Sequence, residues 1–478
     1  MTTTPLHCSA YIDGEFRPGG ETFERRNPAT GEVAAVADVA DQATVDSAVA
    51  AAVRAFPTWS RTTGFERGAL LRRLGEVALE RVDDLATTMT LEQGKPLNEA
   101  RGEVRKFAQA MRFYGEEAER IGGETVPNES NDFLSVVQRE PVGPVAAITP
   151  WNYPVELLGW KLGGALGAGC TMVIKDSEHT PGAGQVMAEC LTAAGFPPGV
   201  VNIVHGAGEV GAMLAGHRDI AKVAFTGSNA TGQKLFRTVS GVTQLTMELG
   251  GSCPMIVTRH ANLDLAATGA VRRSFRNAGQ ICIAINRIYV ERAVMADFTD
   301  RMAELTRALG VGDGYADPDA DVGPVTMEEI RARTERHVSD ALSGGARLLS
   351  GADDHPSGGL FRHPALVVDA PFDSQIMTEE TFGPAVGVAA VESLDEAVAH
   401  ANGVAGGLAA YLYTDDLGET MRAGRELDFG NVAVNNVDAG IINAPYGGRR
   451  ESGFGSEHGR EGLEGYLQYK HLRIRHTH

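Results

Sequence analysis

Cysteine is scarce in this sequence: there are five among 478 residues, and no two of them are spaced as Cys-x-x-Cys. An odd number of scattered cysteines argues against a disulfide framework and favours a reducing compartment. Residues 1–5 also lack the charged and apolar segments of a secretory signal. We therefore expect a cytoplasmic protein.

Positive charge and long apolar runs are scarce as well. Lys and Arg number 43 against 62 Asp and Glu, and the formal charge of −19 argues against nonspecific binding to nucleic acid or anionic membranes. The longest weakly polar run, residues 162–174, is too short and too rich in glycine to span a bilayer. The thirteen histidines form no zinc-binding pattern. We predict no nucleic-acid partner, no membrane partner and no catalytic metal.

Glycine, in contrast, is abundant, with 58 residues along the chain. From residue 133 onward, short apolar runs alternate with helical patterns, which predicts an α/β fold with helices on the faces of a parallel sheet. Before this part, residues 11–16 predict a hairpin, and the apolar spacing over residues 70–89 predicts one continuous helix. The strands predicted in the α/β part span residues 144–148, 171–175, 200–204 and 222–225.

Two glycine-rich loops follow predicted strands. Residues 206–211 fit Gly-x-Gly-x-x-Gly, but no acidic residue ends the next strand as the dinucleotide-binding fingerprint requires, so a cofactor loop and an ordinary turn both remain open. Residues 225–232 also join a strand to a helix. The start of that helix offers free backbone N–H groups to a phosphate, although Ser228 as a simple N-cap explains the same pattern.

Three residues are candidates for catalysis. Cys282 lies behind Gly-Gln with an isoleucine on each side, which suits either a covalent nucleophile or an inert buried thiol. Glu248 lies between two apolar residues that would raise its pKa and suit it to general-base catalysis, but a salt bridge or a cap is an alternative. Asn152 follows a predicted strand, where its amide can stabilise an oxyanion or simply form a turn.

The order of several uncommon strings resembles that of the aldehyde dehydrogenase superfamily, and the resemblance extends from Asn27 to Lys470. These strings are Pro150-Trp151-Asn152-Tyr153-Pro154, Phe225-Thr226-Gly227-Ser228, Glu248-Leu249-Gly250-Gly251, Gly279-Gln280-Ile281-Cys282 and Glu380-Thr381-Phe382-Gly383-Pro384. The resemblance implies a Rossmann-type cofactor-binding domain, an α/β catalytic domain and a small oligomerisation sheet in a homodimer or homotetramer. The implied boundaries are 1–121 and 142–247 for the cofactor domain, 248–445 for the catalytic domain, and 122–141 and 446–478 for the oligomerisation segments.

The activity that the resemblance implies is the oxidation of a small-molecule aldehyde to the carboxylic acid with NAD. Cys282 would add to the carbonyl carbon, and the Asn152 side chain with the Cys282 backbone N–H would stabilise the oxyanion. After hydride transfer to the nicotinamide, Glu248 would activate the water that hydrolyses the thioester.

The resemblance also implies a set of residues that contact the cofactor. They are Ile148, Thr149, Trp151, Lys175, Glu178, Gly208, Gly211, Gly227, Ser228, Leu249, Glu380 and Phe382. Lys175 and Glu178 match positions that hold the adenosine ribose, and Glu380 matches the residue on the nicotinamide ribose. Because Glu178 would repel a 2′-phosphate and accept a hydrogen bond from a 2′-hydroxyl, NAD is favoured over NADP.

The substrate positions that the resemblance implies are Trp160, Arg276, Ile281 and Ile283. They give conflicting indications of the aldehyde. Arg276 matches a carboxylate-binding arginine of the succinate-semialdehyde branch, whereas Trp160 and Ile441 replace a second arginine and a serine of that branch. Two further departures from the family pattern are Ser252, where lysine is usual, and the string from Tyr446 to Arg450, where Phe-Gly-Gly-Val-Lys is usual.

Three alternatives remain open at this point. A CoA-acylating enzyme of the same fold typically lacks the base, so Glu248 argues against it. A thiol hydrolase would pair Cys282 with a histidine, but no histidine lies in a recognisable partner motif. A non-catalytic, structural NAD-binding protein would have no need of Asn152, Glu248 and Cys282 together.

Overall fold

The computed structural model describes residues 4–239, 241–351, 355 and 357–476. Residues 1–3, on which the expectation of no secretory signal partly rests, lie outside these ranges. The outermost residues of the predicted segments 1–121 and 446–478 lie outside them too, as do four residues within 248–445 and residue 240.

The β-strands of the described residues form five sheets. In chain order the strands are β1 (Leu6–Cys8), β2 (Ala10–Ile12), β3 (Glu15–Arg17), β4 (Thr22–Arg26), β5 (Val33–Asp38), β6 (Glu124–Val126), β7 (Phe133–Pro141), β8 (Val145–Ile148), β9 (Met172–Lys175), β10 (Val201–Val204), β11 (Lys222–Gly227), β12 (Gln244–Leu249), β13 (Cys253–Val257), β14 (Ile285–Glu291), β15 (Arg347–Ser350), β16 (Ala365–Val368), β17 (Ala385–Val391), β18 (Gly406–Gly407), β19 (Ala409–Tyr413), β20 (Asn431–Val434), β21 (Arg449–Arg450), β22 (Gly453–Phe454) and β23 (Leu467–Arg475).

The helices pack on the faces of these sheets. In chain order they are α1 (Gln42–Trp59), α2 (Gly64–Glu80), α3 (Val82–Gln93), α4 (Leu97–Ala118), α5 (Glu156–Ala168), α6 (Pro181–Ala194), α7 (Gly208–Ala215), α8 (Asn229–Thr238), α9 (Leu263–Phe275), α10 (Met295–Arg307), α11 (Glu328–Ser343), α12 (Gln375–Thr378), α13 (Leu394–Asn402), α14 (Leu417–Glu426) and α15 (Gly459–Glu464). Two short 3₁₀ helices span Arg276–Gly279 and Arg292–Val294. Within the described ranges, no helix combines the length and the apolar character needed to cross a bilayer.

The largest sheet has the strand order β22-β12-β11-β8-β9-β10-β2-β3. Its five central strands, β12, β11, β8, β9 and β10, run parallel, and antiparallel strands complete both edges. Strands β8 and β9 are buried throughout, as expected for a parallel sheet covered on both faces. The register places Ile148 opposite both Phe225 and Lys175, and Thr226 opposite Glu248. The carboxyl ends of four parallel strands therefore meet at one edge of the sheet.

A second sheet has the order β15-β16-β17-β14-β13-β19-β20, in which only the β15–β16 pair is antiparallel. Strands β13 and β14 lie side by side, with Cys253 opposite Ile285. Because β13 begins just after Glu248 and β14 begins just after Cys282, this pairing brings the two candidate catalytic segments together.

A third, antiparallel sheet has the order β23-β7-β6, with Leu467 opposite Pro141 and Arg475 opposite Phe133. Its strands come from the ranges 122–141 and 446–478. Strand β22 of the second range instead joins the edge of the largest sheet. The division of the chain into domains and the role of this small sheet in oligomer formation stay predictions.

The α/β architecture predicted from the sequence is confirmed, with one error in the helical layer. The 11–16 hairpin and the four predicted strands of the parallel sheet are present. The continuous helix over residues 70–89 is wrong, because α2 and α3 are separated at Arg81, whose φ and ψ of −109° and 26° leave helical geometry. Asp83 and Asp84 lie in the first turn of α3, where acidic residues stabilise a new helix start. The apolar spacing continues across this break and therefore conceals it.

Candidate active site

A cavity opens where the carboxyl ends of β8, β9, β11 and β12 meet, and segments next to the second sheet form its opposite wall. Every catalytic and cofactor residue predicted from the sequence lines this cavity, as does Trp160. Arg276, Ile281 and Ile283, the other predicted substrate residues, are outside the lining. The residues thus share one space, and their individual roles stay predictions.

Cys282 follows a turn with an uncommon backbone. Asn277, Ala278 and Gly279, just after helix α9, have left-handed φ angles of 50°, 53° and 74°. Residues with a side chain cost roughly 1–2 kcal/mol each in this conformation, so surrounding contacts must hold the turn. One of these contacts comes from Glu99, whose carboxylate accepts the Asn277 backbone N–H at 3.0 Å.

Further contacts hold the turn from distant parts of the chain. The Gln93 side chain donates to Asn277 Oδ1 at 2.9 Å, and the backbone N–H of Thr326 donates to Gln280 Oε1 at 2.9 Å. The turn also packs closely, because a Cβ on Gly279 would lie 2.2 Å from the Gly383 carbonyl oxygen. The segment that leads to the thiol is therefore held by several separate elements.

The Cys282 thiol is half-buried and lines the cavity, whereas the other four cysteines are buried. Burial raises the pKa of the thiol to about 12, and the Tyr446 hydroxyl, 3.6 Å from Sγ, acts in the opposite direction. Since the thiolate is the nucleophilic form, groups within the cavity must stabilise the charge for Cys282 to react. Inert burial describes the other cysteines better than it describes Cys282.

Hydrogen bonds hold both the side chain and the backbone of Asn152. Its Nδ2 donates to the Gln280 carbonyl oxygen at 3.0 Å, and its own backbone oxygen accepts Lys95 Nζ at 2.6 Å and Asn277 Nδ2 at 3.1 Å. A primary amide has two N–H donors, so one remains to stabilise a substrate oxygen. Asn152 is thus more than a turn-forming residue.

A buried ion pair that the sequence did not indicate supports the Asn152 loop. Lys95 lies 2.5 Å from Glu103, and both side chains are fully buried. Glu103 also accepts the backbone N–H groups of Val155 and Glu156 at 2.8 and 3.1 Å. Lys95 lies next to Gly94, the C-cap of α3, and Glu103 lies on α4, so two helices position the loop that carries the amide.

Glu248 is buried, and neither of its carboxylate oxygens has a hydrogen-bond partner within the described residues. Within those residues, Glu248 therefore forms neither the salt bridge nor the helix cap that would have given it a purely structural role. Burial raises the pKa of Glu248 well above its usual range, the nearby Glu457 adds to this effect, and Lys161 acts against it. Lys161 itself is occupied by an ion pair with Glu457 and a hydrogen bond to Thr226. In its ionised form, a carboxyl with a raised pKa is a stronger base than an ordinary glutamate and can take a proton from water.

Two carboxylates in the cavity suit the hydroxyls of a ribose. Glu178 lies 3.1 Å from Lys175 Nζ. Burial alone would raise the pKa of Glu178, but the ion pair with Lys175 outweighs it and lowers the pKa. Glu380 accepts the Gly251 backbone N–H at 3.2 Å, and burial raises its pKa to about 7 while Arg333 acts in the opposite direction.

The glycine loops and the aromatic residues form the remaining walls of the cavity. Gly208 begins α7, and a Cβ there would meet no atom within 4 Å, so the backbone is open to the cavity. Ser228 caps α8 by accepting the Thr231 backbone N–H, which confirms the N-cap, and it also lines the cavity; its contact with a phosphate stays a prediction. Trp151 meets Phe382 edge to face at 5.6 Å. Acidic, glycine-rich and aromatic walls together fit a dinucleotide.

Two aromatic residues that the sequence did not indicate lie beside Trp160. The Trp160 ring contacts the rings of Tyr446 at 5.5 Å and His458 at 4.1 Å. The string around Tyr446 departs from a family motif, but nothing in it indicates that its hydroxyl reaches the thiol. His179 and Arg333, which also line the cavity, carried no sequence signal.

Arg276 is held at the back of this region. Its Nε donates to Glu99 at 2.9 Å, and its guanidinium lies 5.9 Å from the centre of the Tyr153 ring. Among the described residues, its two terminal nitrogens have no hydrogen-bond partner. The guanidinium is thus half engaged, and one edge remains for another carboxylate.

Comparison with known proteins identifies the family that this chain matches. The model of the aldehyde dehydrogenase family matches residues 16–472. A 3-sulfolactaldehyde dehydrogenase of Pseudomonas putida is 40% identical over 98% of this chain and 97% of that protein. A succinate-semialdehyde dehydrogenase [NADP(+)] of Escherichia coli K12 is 40% identical over 97% of each chain. A crystal structure of an E. coli NADP-dependent enzyme superimposes with a TM-score of 0.96 at 39% identity, covering 98% of each chain.

Proposed function

Because the chain belongs to the aldehyde dehydrogenase family, we propose that it oxidises its aldehyde through a thioester on Cys282. The chain is an aldehyde-oxidising enzyme of a family that uses NAD or NADP. One observation carries the proposal: Cys282 and Asn152, from two separate loops, and Glu248, from strand β12, line a single cavity. It argues against a non-catalytic protein, which would have no use for an unpaired buried carboxylate beside a thiol.

In the first step the Cys282 thiolate adds to the aldehyde carbon, and the carbonyl electrons move to oxygen. The free N–H of Asn152 and the backbone N–H of Cys282 stabilise this oxyanion. The hydrogen bond from Asn152 to the Gln280 carbonyl, two residues before the thiol, keeps the amide at a constant distance from the nucleophile. A nicotinamide cofactor held by the predicted cofactor residues would supply the acceptor for the hydride, and a thioester would then remain on Cys282.

In the second step water attacks the thioester carbon. Glu248 takes the proton from this water, the carbon–sulfur bond breaks, and the carboxylic acid leaves as the thiolate re-forms. The unpaired carboxylate supports this role, because no protein donor competes for its oxygens within the described residues. A CoA-acylating enzyme would have no need of such a base.

NAD is the proposed cofactor. The lowered pKa of Glu178 keeps it ionised near neutral pH, and a 2′-phosphate beside that charge is repelled. The name of the E. coli relative described above specifies NADP(+), so the preference proposed here differs from the cofactor of that relative. We expect kcat/KM with NAD to exceed kcat/KM with NADP by roughly tenfold or more, and we expect Glu178→Gln to reduce this ratio. The same ratio in the wild type and in Glu178→Gln would refute the role of Glu178.

A carboxylated aldehyde is a second candidate for the substrate, and the free edge of Arg276 favours it. We expect Arg276→Lys, which keeps the charge but loses the planar fork, to raise KM for succinate semialdehyde and to leave KM for butanal unchanged. A parallel change for both aldehydes would assign Arg276 a structural role and favour the less polar substrates that Trp160 suits.

Cys282→Ala tests the mechanism directly. The variant should form no NADH from any aldehyde, whereas Cys253→Ala, the same substitution at a buried thiol next to the site, should retain turnover. Wild-type turnover by Cys282→Ala would exclude the thioester.

A separate experiment identifies the acceptor of the acyl group. The product of the wild-type protein in the presence of CoA should be the free acid, and acyl-CoA would point to the acylating alternative.

A further inference from the structure

Tyr446 contacts the candidate nucleophile directly. Its side chain is 3% exposed, and its hydroxyl lies 3.6 Å from Cys282 Sγ, within hydrogen-bond distance for sulfur. Within the described part of the chain, no other side chain forms a hydrogen bond with this sulfur atom. The hydroxyl is a departure from the family motif, in which phenylalanine is usual at this position.

The surroundings of Tyr446 fix the hydroxyl in place. Its backbone N–H and carbonyl form a reciprocal pair with Glu457, both at 2.7 Å. Its ring packs against both Trp160, at 5.5 Å, and His458, at 5.3 Å. A side chain held by backbone and ring contacts cannot readily turn its hydroxyl away from the thiol.

Tyr446 differs from the charged groups around the thiol because its hydroxyl is neutral. Besides burial, Glu380 and Glu248 raise the pKa of Cys282, whereas Arg273 lowers it. Burial and the neighbouring Cys282 raise the pKa of Tyr446 well above its usual range, so the tyrosine keeps its proton. It is therefore a neutral donor beside a sulfur that two carboxylates discourage from ionising.

We propose that the Tyr446 hydroxyl donates a hydrogen bond to the ionised Cys282 sulfur and so determines how much thiolate is present at a given pH. The inference rests on the proposed role of Cys282 as the nucleophile. Tyr446 is then a catalytic residue, because it touches the reacting atom. The same contact assists the second step, since a better-stabilised thiolate is a better leaving group from the thioester.

The expected effect follows from two opposing trends. Losing a hydrogen bond to a charged group raises the pKa of the thiol by about one unit. At any pH well below the pKa, the thiolate fraction then falls to about one tenth of its wild-type value. A thiolate of higher pKa is more nucleophilic by roughly threefold per unit. The net result is a reaction roughly threefold slower at neutral pH.

The experiment compares alkylation of Cys282 by iodoacetamide in the wild-type protein and in Tyr446→Phe, from about pH 6 to about pH 10, with and without NAD. Mass spectrometry of the Cys282 peptide separates this thiol from the four others. Tyr411→Phe is the matched control, because the Tyr411 hydroxyl bonds to the Ile283 carbonyl at 2.8 Å beside the same loop. Replacement of Tyr446 by 3-fluorotyrosine, a stronger donor of similar size, provides the opposite change.

Tyr446→Phe should react roughly threefold more slowly at neutral pH, 3-fluorotyrosine should accelerate the reaction, and Tyr411→Phe should match the wild type. The sign is informative, because removing a hydroxyl opens access to the sulfur and would by itself make alkylation faster. Equal or faster alkylation of Tyr446→Phe would overturn the proposal, as would an equal slowing in Tyr411→Phe. Failure of the thioester mechanism would show separately, as turnover that survives Cys282→Ala.

Discussion

At the scale of the residue, Glu248 combines burial with the lack of any hydrogen-bond partner in the described chain. A fold gains nothing from such a carboxyl, since its charged form is costly when water is absent. The same isolation makes it useful as a base, because its oxygens are free to bind water. Stability and catalysis are therefore in opposition at this residue.

Glu248→Gln should trap the acyl-enzyme. We expect a burst of NADH equal to the enzyme concentration, followed by turnover slowed roughly 10²–10⁴-fold. In the wild type, hydrolysis of the thioester should accelerate as pH rises through the raised pKa of Glu248, because only the ionised carboxylate is a base. Rapid-mixing kinetics across pH measure both effects. Fast steady turnover by the variant would remove Glu248 from the mechanism.

The same variant should melt at a higher temperature. Since burial raises the pKa of Glu248, the wild-type fold has its full stability below the ordinary pKa of a glutamate. It loses stability as pH rises from there through the raised pKa, because only the unfolded chain ionises this group in that range. The advantage of Glu248→Gln should therefore grow with pH in thermal melts. Glu457→Gln is the contrasting control, because it leaves the buried Lys161 without its partner and should lower Tm.

The sequence could predict the candidate trio but not its surroundings. Cys282, Glu248 and Asn152 lie in contiguous strings that resemble a known family, whereas residue type alone left a non-catalytic interpretation open for each. The contact of Tyr446 with the sulfur and that of Lys95 with the Asn152 carbonyl join residues far apart in the chain. Such contacts depend on tertiary packing, which no local pattern records.

At the scale of the element, the turn from Asn277 to Gly279 determines where the thiol points. Three successive left-handed residues reverse the chain between α9 and β14 and aim Cys282 at the cavity. The sequence does not indicate this conformation, because Gly279 favours positive φ and Asn277 tolerates it, whereas Ala278 between them does not.

Gly279→Ala should abolish activity and destabilise the fold. The added Cβ would lie 2.2 Å from the Gly383 carbonyl, in a backbone conformation that alanine already disfavours. Gly31→Ala separates these causes, because Gly31 has a φ of 76° and its Cβ would meet no atom within 4 Å. The control should cost about 1 kcal/mol in urea unfolding and keep full activity. Similar losses in both variants would show that backbone strain alone matters.

At the scale of the whole molecule, the small sheet of β6, β7 and β23 exposes an apolar face. Leu134, Val136, Leu472 and Ile474 lie on one side of the β7–β23 pair, because the register places Leu472 opposite Val136 and Ile474 opposite Leu134. Leu134, Leu472 and Ile474 are each about 40% exposed in the single chain. Contiguous exposed apolar groups on a strand favour association, which supports the proposed homo-oligomer.

Leu472→Asp combined with Ile474→Asp should therefore dissociate the oligomer, as measured by light scattering after size-exclusion chromatography. His471→Asp, which places the same charge on the opposite face of β23, is the control and should keep the assembly. Equal dissociation by both would mean that the apolar face has no special part.

The turn beside the nucleophile also has a consequence for folding order. Its partners Gln93, Glu99 and Thr326 lie far from it in sequence and belong to different parts of the chain. Contacts of such long sequence separation form late, after local helices are in place. A refolding chain should regain its helical signal first and a reactive Cys282 last. Alkylation of this thiol can then serve as a clock for the completion of tertiary assembly.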